Sequence, residues 1–157
     1  MNPTTPAHPA PGPADWLVAP ELAPDPADPD LAPLYAGAAR GVLVLPFCAG
    51  CGVPLELEQS VCDLCGAPGR EWREVPRTGT VHAATLVHRR ERGLIVAAAP
   101  YPVIDVELTS GHRLILTTTQ ACEHAPAIGA PVEIAFRAVG AVALPAVRAE
   151  QSGENKQ

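Results

Sequence analysis

Aromatic side chains are scarce in this sequence: Phe, Trp and Tyr together make up 4% of 157 residues. Without large rings to fill an interior, the core has to be built mainly from Val, Leu and Ile. Long apolar runs are missing too; none approaches the roughly 18 to 20 residues that a membrane-spanning helix requires. Nor is there a surplus of positive charge. A net charge of −6 and a pI near 5.3 provide no long-range attraction for a polyanion, which disfavours nucleic acid as a partner. The segment Met1 to Ala19 carries neither the positive start nor the apolar stretch of a secretory signal. A cytoplasmic location is expected, where a reducing environment leaves cysteines as thiolates for metal or catalysis rather than as disulfides.

Proline, by contrast, is abundant at the start. Ten prolines fall between Pro3 and Pro33, and each removes a backbone donor and restricts the chain to extended conformations. Residues 1–29 therefore read as a Pro-rich arm, extended or disordered, whose apolar piece Trp16-Leu17-Val18 can anchor it on a partner or on the domain's own surface. Residues 30–69 read as a helix plus a cysteine ribbon. Asp30 is placed to cap a short helix in which Leu34 and Ala38 share a face and which Gly41 ends. A buried strand, Leu43 to Phe47, then delivers the chain to Cys48, and Pro54 to Glu58 alternates like one arm of a hairpin.

From residue 70 to 148 the pattern is β throughout, with strands expected at Trp72–Val75, Thr80–His88, Val103–Leu108, Arg113–Thr118, Val132–Phe136 and Val142–Val147. Short strands punctuated by Gly and Pro favour a small barrel or sandwich. Thr109-Ser110-Gly111 is a tight hairpin loop, so Val103–Leu108 should pair with Arg113–Thr118, and Ile104, Val106 and Leu108 should meet Leu114 and Leu116 on one face. Residues 149–157 form a polar tail.

The strongest chemical signal is Cys48-Ala-Gly-Cys51 followed, ten residues later, by Cys62-Asp-Leu-Cys65. Four thiolates supply the tetrahedral shell that Zn²⁺ accepts. The glycine after each pair, Gly52 or Gly66, lets the backbone fold beneath the metal so that amide N–H groups can approach sulfur. With all four thiolates bound, no position remains open for substrate. The role is then structural, because so short a ribbon cannot bury enough apolar surface alone. An iron centre or a redox dithiol is the alternative use of the same residues.

Other chemistry is thin. Cys122 lies in the loop Gln120 to His124, and a Cys near a His is the raw material of a nucleophile; no third group orients the pair, so it reads as a loop cysteine. His82, His88 and His112 sit on strands or their ends and read as solvated or hydrogen-bonded surface residues. The one concentrated basic segment is His88-Arg89-Arg90-Glu91-Arg92. It is a solvated loop tip, or a place where Arg89, Arg90 and Arg92 grip the phosphates of a nucleotide-like cofactor or of nucleic acid.

The order of parts resembles the DUF35 family of zinc-ribbon OB-fold proteins. The residues that carry the resemblance are Arg40-Gly41-Val42-Leu43-Val44, the two knuckles Cys48-Ala-Gly-Cys51-Gly52 and Cys62-Asp-Leu-Cys65-Gly66, then Trp72, Gly79-Thr80-Val81, Pro102 to Leu108, Gly111 and Ile128-Gly129-Ala130-Pro131-Val132. They span about residues 30 to 148. The sequence departs from the family pattern at Leu34-Tyr35, where an aromatic pair is common, and in its long Pro-rich arm. The resemblance implies a mainly β fold, with an N-terminal helix and a rubredoxin-like zinc ribbon followed by a small OB-fold barrel. It also implies a non-catalytic accessory subunit that binds a thiolase-like enzyme and completes or shields its acyl-CoA site, in carbon–carbon bond formation or cleavage such as acyl transfer or retro-aldol side-chain removal. On that reading Arg89, Arg90 and Arg92 are candidates for CoA phosphates. The competing class is a zinc-ribbon/OB nucleic-acid-binding module, for which the barrel offers few aromatic stacking platforms.

Overall fold

A computed structural model describes residues 14–149 of the chain. The first part of the expected arm, residues 1–13, and nearly all of the expected polar tail, residues 150–157, lie outside the described residues. After a 3-10 turn at Pro20–Leu22 comes one helix, α1 (Ala32–Ala39), followed by seven strands: β1 (Leu43–Cys48), β2 (Arg70–Val75), β3 (Thr78–Val87), β4 (Tyr101–Leu108), β5 (Arg113–Leu116), β6 (Pro131–Val139) and β7 (Val142–Val147). β1 and β2 form an antiparallel pair, and the remaining strands form a sheet in the order β5-β4-β3-β6-β7. A parallel bridge between Thr118 and Val147 draws the sheet's two edges together into a nearly closed OB-type barrel.

Strand alternation explains the barrel core. Along β4, Ile104, Val106 and Leu108 point inward and are at most 3% exposed, and Leu114 faces them from β5 in the register the hairpin dictates. The loop closes with a Gly111 N–H to Leu108 O bond of 2.9 Å and a Leu108 N–H to His112 O bond of 2.9 Å. Gly111 sits at φ +90°, which is the three-residue loop with its bulge glycine. Leu43, Leu45 and Val75 from the β1–β2 pair, together with Leu34 and Tyr35 from α1, join Val81, Ile104 and Ile134 in one cluster. The pair that leads into and out of the cysteine region thus shares its hydrophobic core with the barrel.

The structure differs from the sequence expectations in four places. Asp30 does not cap α1: Leu31 is the N-cap residue and offers no side-chain bond, while Asp30 accepts from Arg70 Nη2 at 3.0 Å. At the other end the Gly41 and Val42 amides donate back to Ala38 O and Gly37 O, both at 3.0 Å, which closes the helix as expected. Pro54 to Glu58 forms no strand, keeping only a bridge between Phe47 and Pro54, because a proline cannot donate to a ladder. The strand expected over Arg113–Thr118 stops at Leu116, since Thr117 to Thr119 turn to pair with Val147 across the barrel seam. His112 is buried rather than solvated, at 4% exposure.

The described part of the arm lies on the barrel. Leu17 and Ala19 are buried, Trp16 Nε1 donates to Thr118 O at 2.9 Å, and the buried Asp15 carboxylate forms an ion pair with Arg137. Asp15 also accepts the Leu17 and Val18 amides at 3.1 and 2.8 Å, so its buried charge is both paired and hydrogen-bonded. Two further bonds, from Ala19 N–H to Leu94 O at 2.9 Å and from Val96 N–H to Leu17 O at 2.8 Å, fasten the arm to the loop between β3 and β4.

Candidate metal centre and basic loop

β1 delivers Cys48 to the end of the β1–β2 pair, and the chain returns through the second cysteine pair before β2 begins at Arg70. The two knuckles are built alike. Cys48 N–H donates to Val53 O and Gly52 N–H returns to Cys48 O; Cys62 N–H donates to Ala67 O and Gly66 N–H returns to Cys62 O, all between 2.8 and 3.1 Å. Gly52 and Gly66 hold φ of +78° and +72°, the left-handed turn that a side chain resists.

These turns converge the four sulfurs to within 4.8 Å of one another. Cys48 Sγ and Cys65 Sγ are 3.6 Å apart, and Cys51 Sγ and Cys62 Sγ 3.7 Å. A tetrahedron with metal–sulfur bonds of about 2.3 Å has edges of about 3.8 Å, so the donor set fits an ion at its centre. Gly50 N–H and Cys51 N–H approach Cys48 Sγ at 3.3 and 3.4 Å. Those two amides, Cys51's first, hold the Cys48 thiol down to about 6 against desolvation. Cys51 receives help from the Val53 amide, yet desolvation and the neighbouring sulfurs of Cys65, Cys62 and Cys48 push it up to about 12. Four thiolates packed this closely repel one another, and only a cation among them allows all four to ionise. Cys48 and Cys62 are buried, with Leu55 between them, while Cys51 and Cys65 face outward.

The ribbon is tied to the barrel by His112. Its Nε2–H donates to Pro46 O at 2.8 Å, its Nδ1 accepts from Ser110 Oγ at 2.8 Å, and its ring meets Phe47 edge-on with centroids 4.8 Å apart. Burial pushes its pKa below the ordinary 6.5, with the Pro46 carbonyl pulling the other way. Strand parity carried the signal for this residue: His112 lies two positions before the inward Leu114, directly after the turn glycine.

The structure does not gather the three arginines into one cluster of free guanidiniums. Arg89 pairs with Glu91, and Arg90 Nη1 donates to Ala98 O at 2.7 Å, bracing the loop on itself. Arg92 has no ion pair among the described residues. Cys122 does not engage an imidazole: its thiol donates to the backbone O of His124 at 3.1 Å. No helix among the described residues is long and apolar enough to cross a membrane.

The model of the C-terminal OB-fold domain of ChsH2 matches residues 72–137, the stretch from β2 into β6. The solved structure of the Ltp2-ChsH2(DUF35) aldolase contains a chain to which this one is similar at 26% identity and a TM-score of 0.67, over 80% of this chain and 98% of that one. A protein of unknown function from the DUF35 family of Sulfolobus solfataricus, at 16% identity and a TM-score of 0.53 over 80% and 86% of the two chains, shares the fold. No curated protein matches the sequence. With an OB-fold domain that matches the ChsH2 model and four clustered cysteines ahead of it, the chain is similar to proteins of the DUF35 family.

Proposed function

We propose that this chain is a non-catalytic accessory subunit that docks on a thiolase-like enzyme and completes or shields its acyl-CoA site. The observation that carries the reading is its 26% identity, over 98% of the matched chain, to a component of an aldolase named for two proteins, Ltp2 and ChsH2. The site's chemistry agrees with a supporting role. A closed set of four sulfurs has no coordination position for substrate, and the described residues hold no nucleophile with a base and an orienting group. The ion is Zn²⁺, held by Cys48, Cys51, Cys62 and Cys65, and its contribution is to fold the ribbon. The expected units, a ribbon over 30–69 and a barrel over 70–148, then act as one rigid body because β1 and β2 pair across that boundary.

In this reading Arg89, Arg90 and Arg92 meet the phosphates of CoA at the mouth of the joint site, with Arg90 already orienting the loop. Co-expression with the thiolase-fold enzyme encoded nearest to this chain should yield a hetero-oligomer on size exclusion. Substitution of the three arginines by alanine should weaken CoA binding by that complex about tenfold or more. Separate elution of the two proteins would overturn the accessory role; unchanged CoA affinity would overturn only the assignment of the arginines.

A further inference from the structure

The barrel seam is closed at one end and open at the other. In β5 the even residues face β4, as the Leu108–His112 bond and the pairing of Leu114 with Val106 require. The odd residues therefore direct their N–H and C=O groups away from β4, towards β7. At the closed end they find a partner: Val147 N–H donates to Thr117 O at 2.8 Å, and Thr119 N–H donates to Val147 O at 2.9 Å. The next donor along β7 in that ladder would be residue 145, and it is a proline, which has no N–H to give. The seam stops there. Among the described residues the main-chain groups of Arg113 and Ile115 bond to no other backbone on that side, and the Ile115 side chain is 74% exposed.

Beside this unpaired edge runs an open groove of about 1140 Å³, bounded by β5, by Leu144 and Pro145 of β7, by Leu34 and Tyr35 of α1 and by ribbon residues Glu56 to Gln59 and Asp63. Its cations are already neutralised: Arg113 is paired with Asp105 and Arg137 with Asp15. Its carboxylates Glu56, Glu58 and Asp63 have no ion-pair partner among the described residues. A strand edge with unmet hydrogen bonds, an apolar floor and an acidic rim together define one kind of occupant.

We propose that the Arg113–Leu116 edge takes an extended segment of a partner protein by strand addition, and that this segment alternates apolar residues with lysine or arginine. Its main chain meets the open groups of Arg113 and Ile115, its apolar side chains pack beside Ile115, and its cations reach Glu56, Glu58 and Asp63. The biological sense of the contact rests on the accessory role proposed above, but its chemistry is tested without any enzyme.

The probe is a short fluorescent peptide alternating valine with lysine, added to the zinc-loaded full-length chain. It should bind and slow amide exchange at Arg113 and Ile115 about tenfold or more, whereas the same peptide with glutamate for lysine should not bind. N-methylation of the peptide's edge amides should weaken binding about tenfold, through lost main-chain bonds. Ile115→Pro should do the same from the protein side, with zinc content and thermal midpoint kept, because the amide it removes faces the groove and not β4. Combined Glu56→Gln, Glu58→Gln and Asp63→Asn should weaken binding about fivefold and flatten its salt dependence. Absence of binding up to about 1 mM, or binding indifferent to both N-methylation and Ile115→Pro, would overturn the proposal. Self-association of the chain that Ile115→Pro abolishes would also overturn it, in favour of a second copy as occupant. Peptide binding can fail while the hetero-oligomer forms, so the two readings are separable.

Discussion

The ribbon and the barrel are ordered by different means. In the ribbon only Cys48, Leu55 and Cys62 form a buried cluster, with Val53 and Ala67 against it. Two of those three belong to the four cysteines positioned to hold a metal ion, so the interior there is largely sulfur. The barrel cluster joins buried residues from the helix and from all seven strands, among them Leu43, Val75, Val81, Ile104, Leu114, Ile134 and Val142. Small units cannot close the gap between burial and chain entropy without a staple, and in the function proposed above the ribbon's staple is an ion held by its four cysteines. One region therefore fails with chemistry that leaves every apolar contact intact, and the other fails only when packing is lost.

The largest effect that separates them is loss of the ion. Cys48→Ser or Cys62→Ser should abolish binding of one metal per chain and expose the ribbon amides to exchange, whereas β4 and β6 amides should stay protected. A strong chelator should do the same to the wild type. The pKa pattern gives the direction with pH: thiolates that ionise together only around a cation take up protons as the pH falls, so metal release should increase with acid. Elemental analysis combined with residue-resolved exchange reads this directly. Collapse of both regions at once would mean that the β1–β2 pair couples them so tightly that the contrast has no thermodynamic meaning.

Packing is tested by Ile104→Ala. The side chain is fully buried at the centre of the barrel, and its truncation should cost about 3 to 4 kcal/mol. Denaturant unfolding should show that loss while metal stoichiometry remains one per chain.

The same division governs what could be read from the sequence. The clustering of the four cysteines was legible because spacing alone fixes it: Cys48 and Cys51 must share a turn, and so must Cys62 and Cys65, with Gly52 and Gly66 in place to make both. The hairpin was legible for a similar local reason, Gly111 between two alternating runs. What escaped was set by distant partners. Pro54 to Glu58 has the alternation of a strand, but no neighbouring strand accepts it beyond Phe47. Asp30 has the chemistry of a cap, yet Arg70, forty residues on, takes its carboxylate while donating a second bond to Leu57 O at 2.7 Å. The Asp15–Arg137 pair and the seam that ends at Pro145 depend on barrel closure, which no local pattern encodes.

His112 stands at the junction of the two regions and should show an intermediate effect. His112→Gln keeps at most part of the bonding to Pro46 O and Ser110 Oγ and loses the edge contact with Phe47, so it should cost about 1 to 2 kcal/mol at pH 8. Because burial holds the folded imidazole below its ordinary 6.5, the unfolded chain binds a proton near that pH that the folded chain declines. The wild type therefore loses stability as the pH drops through about 6.5 and below, and the glutamine variant lacks that contribution. The gap between the two unfolding free energies should narrow from pH 8 to pH 5.5. A constant gap would mean that His112 does not enter the fold neutral.

The smallest expected effect is the most local. An alanine side chain at Gly52 would meet nothing within 4 Å, so Gly52→Ala disturbs no packing and no ligand; what it strains is a backbone held at φ +78°. The left-handed conformation costs an L-residue about 1 to 2 kcal/mol. In an apolar core a loss of that size would be spread over the cooperative unit, but in the ribbon it falls on the turn that aims Cys51 at the ion. The variant should still bind one metal per chain, release it to a chelator about tenfold faster, and leave the exchange protection of β4 unchanged. Equal weakening of β4 would show that the knuckle and the barrel unfold as one unit, and would remove the distinction between a region held by an ion and a region held by its core.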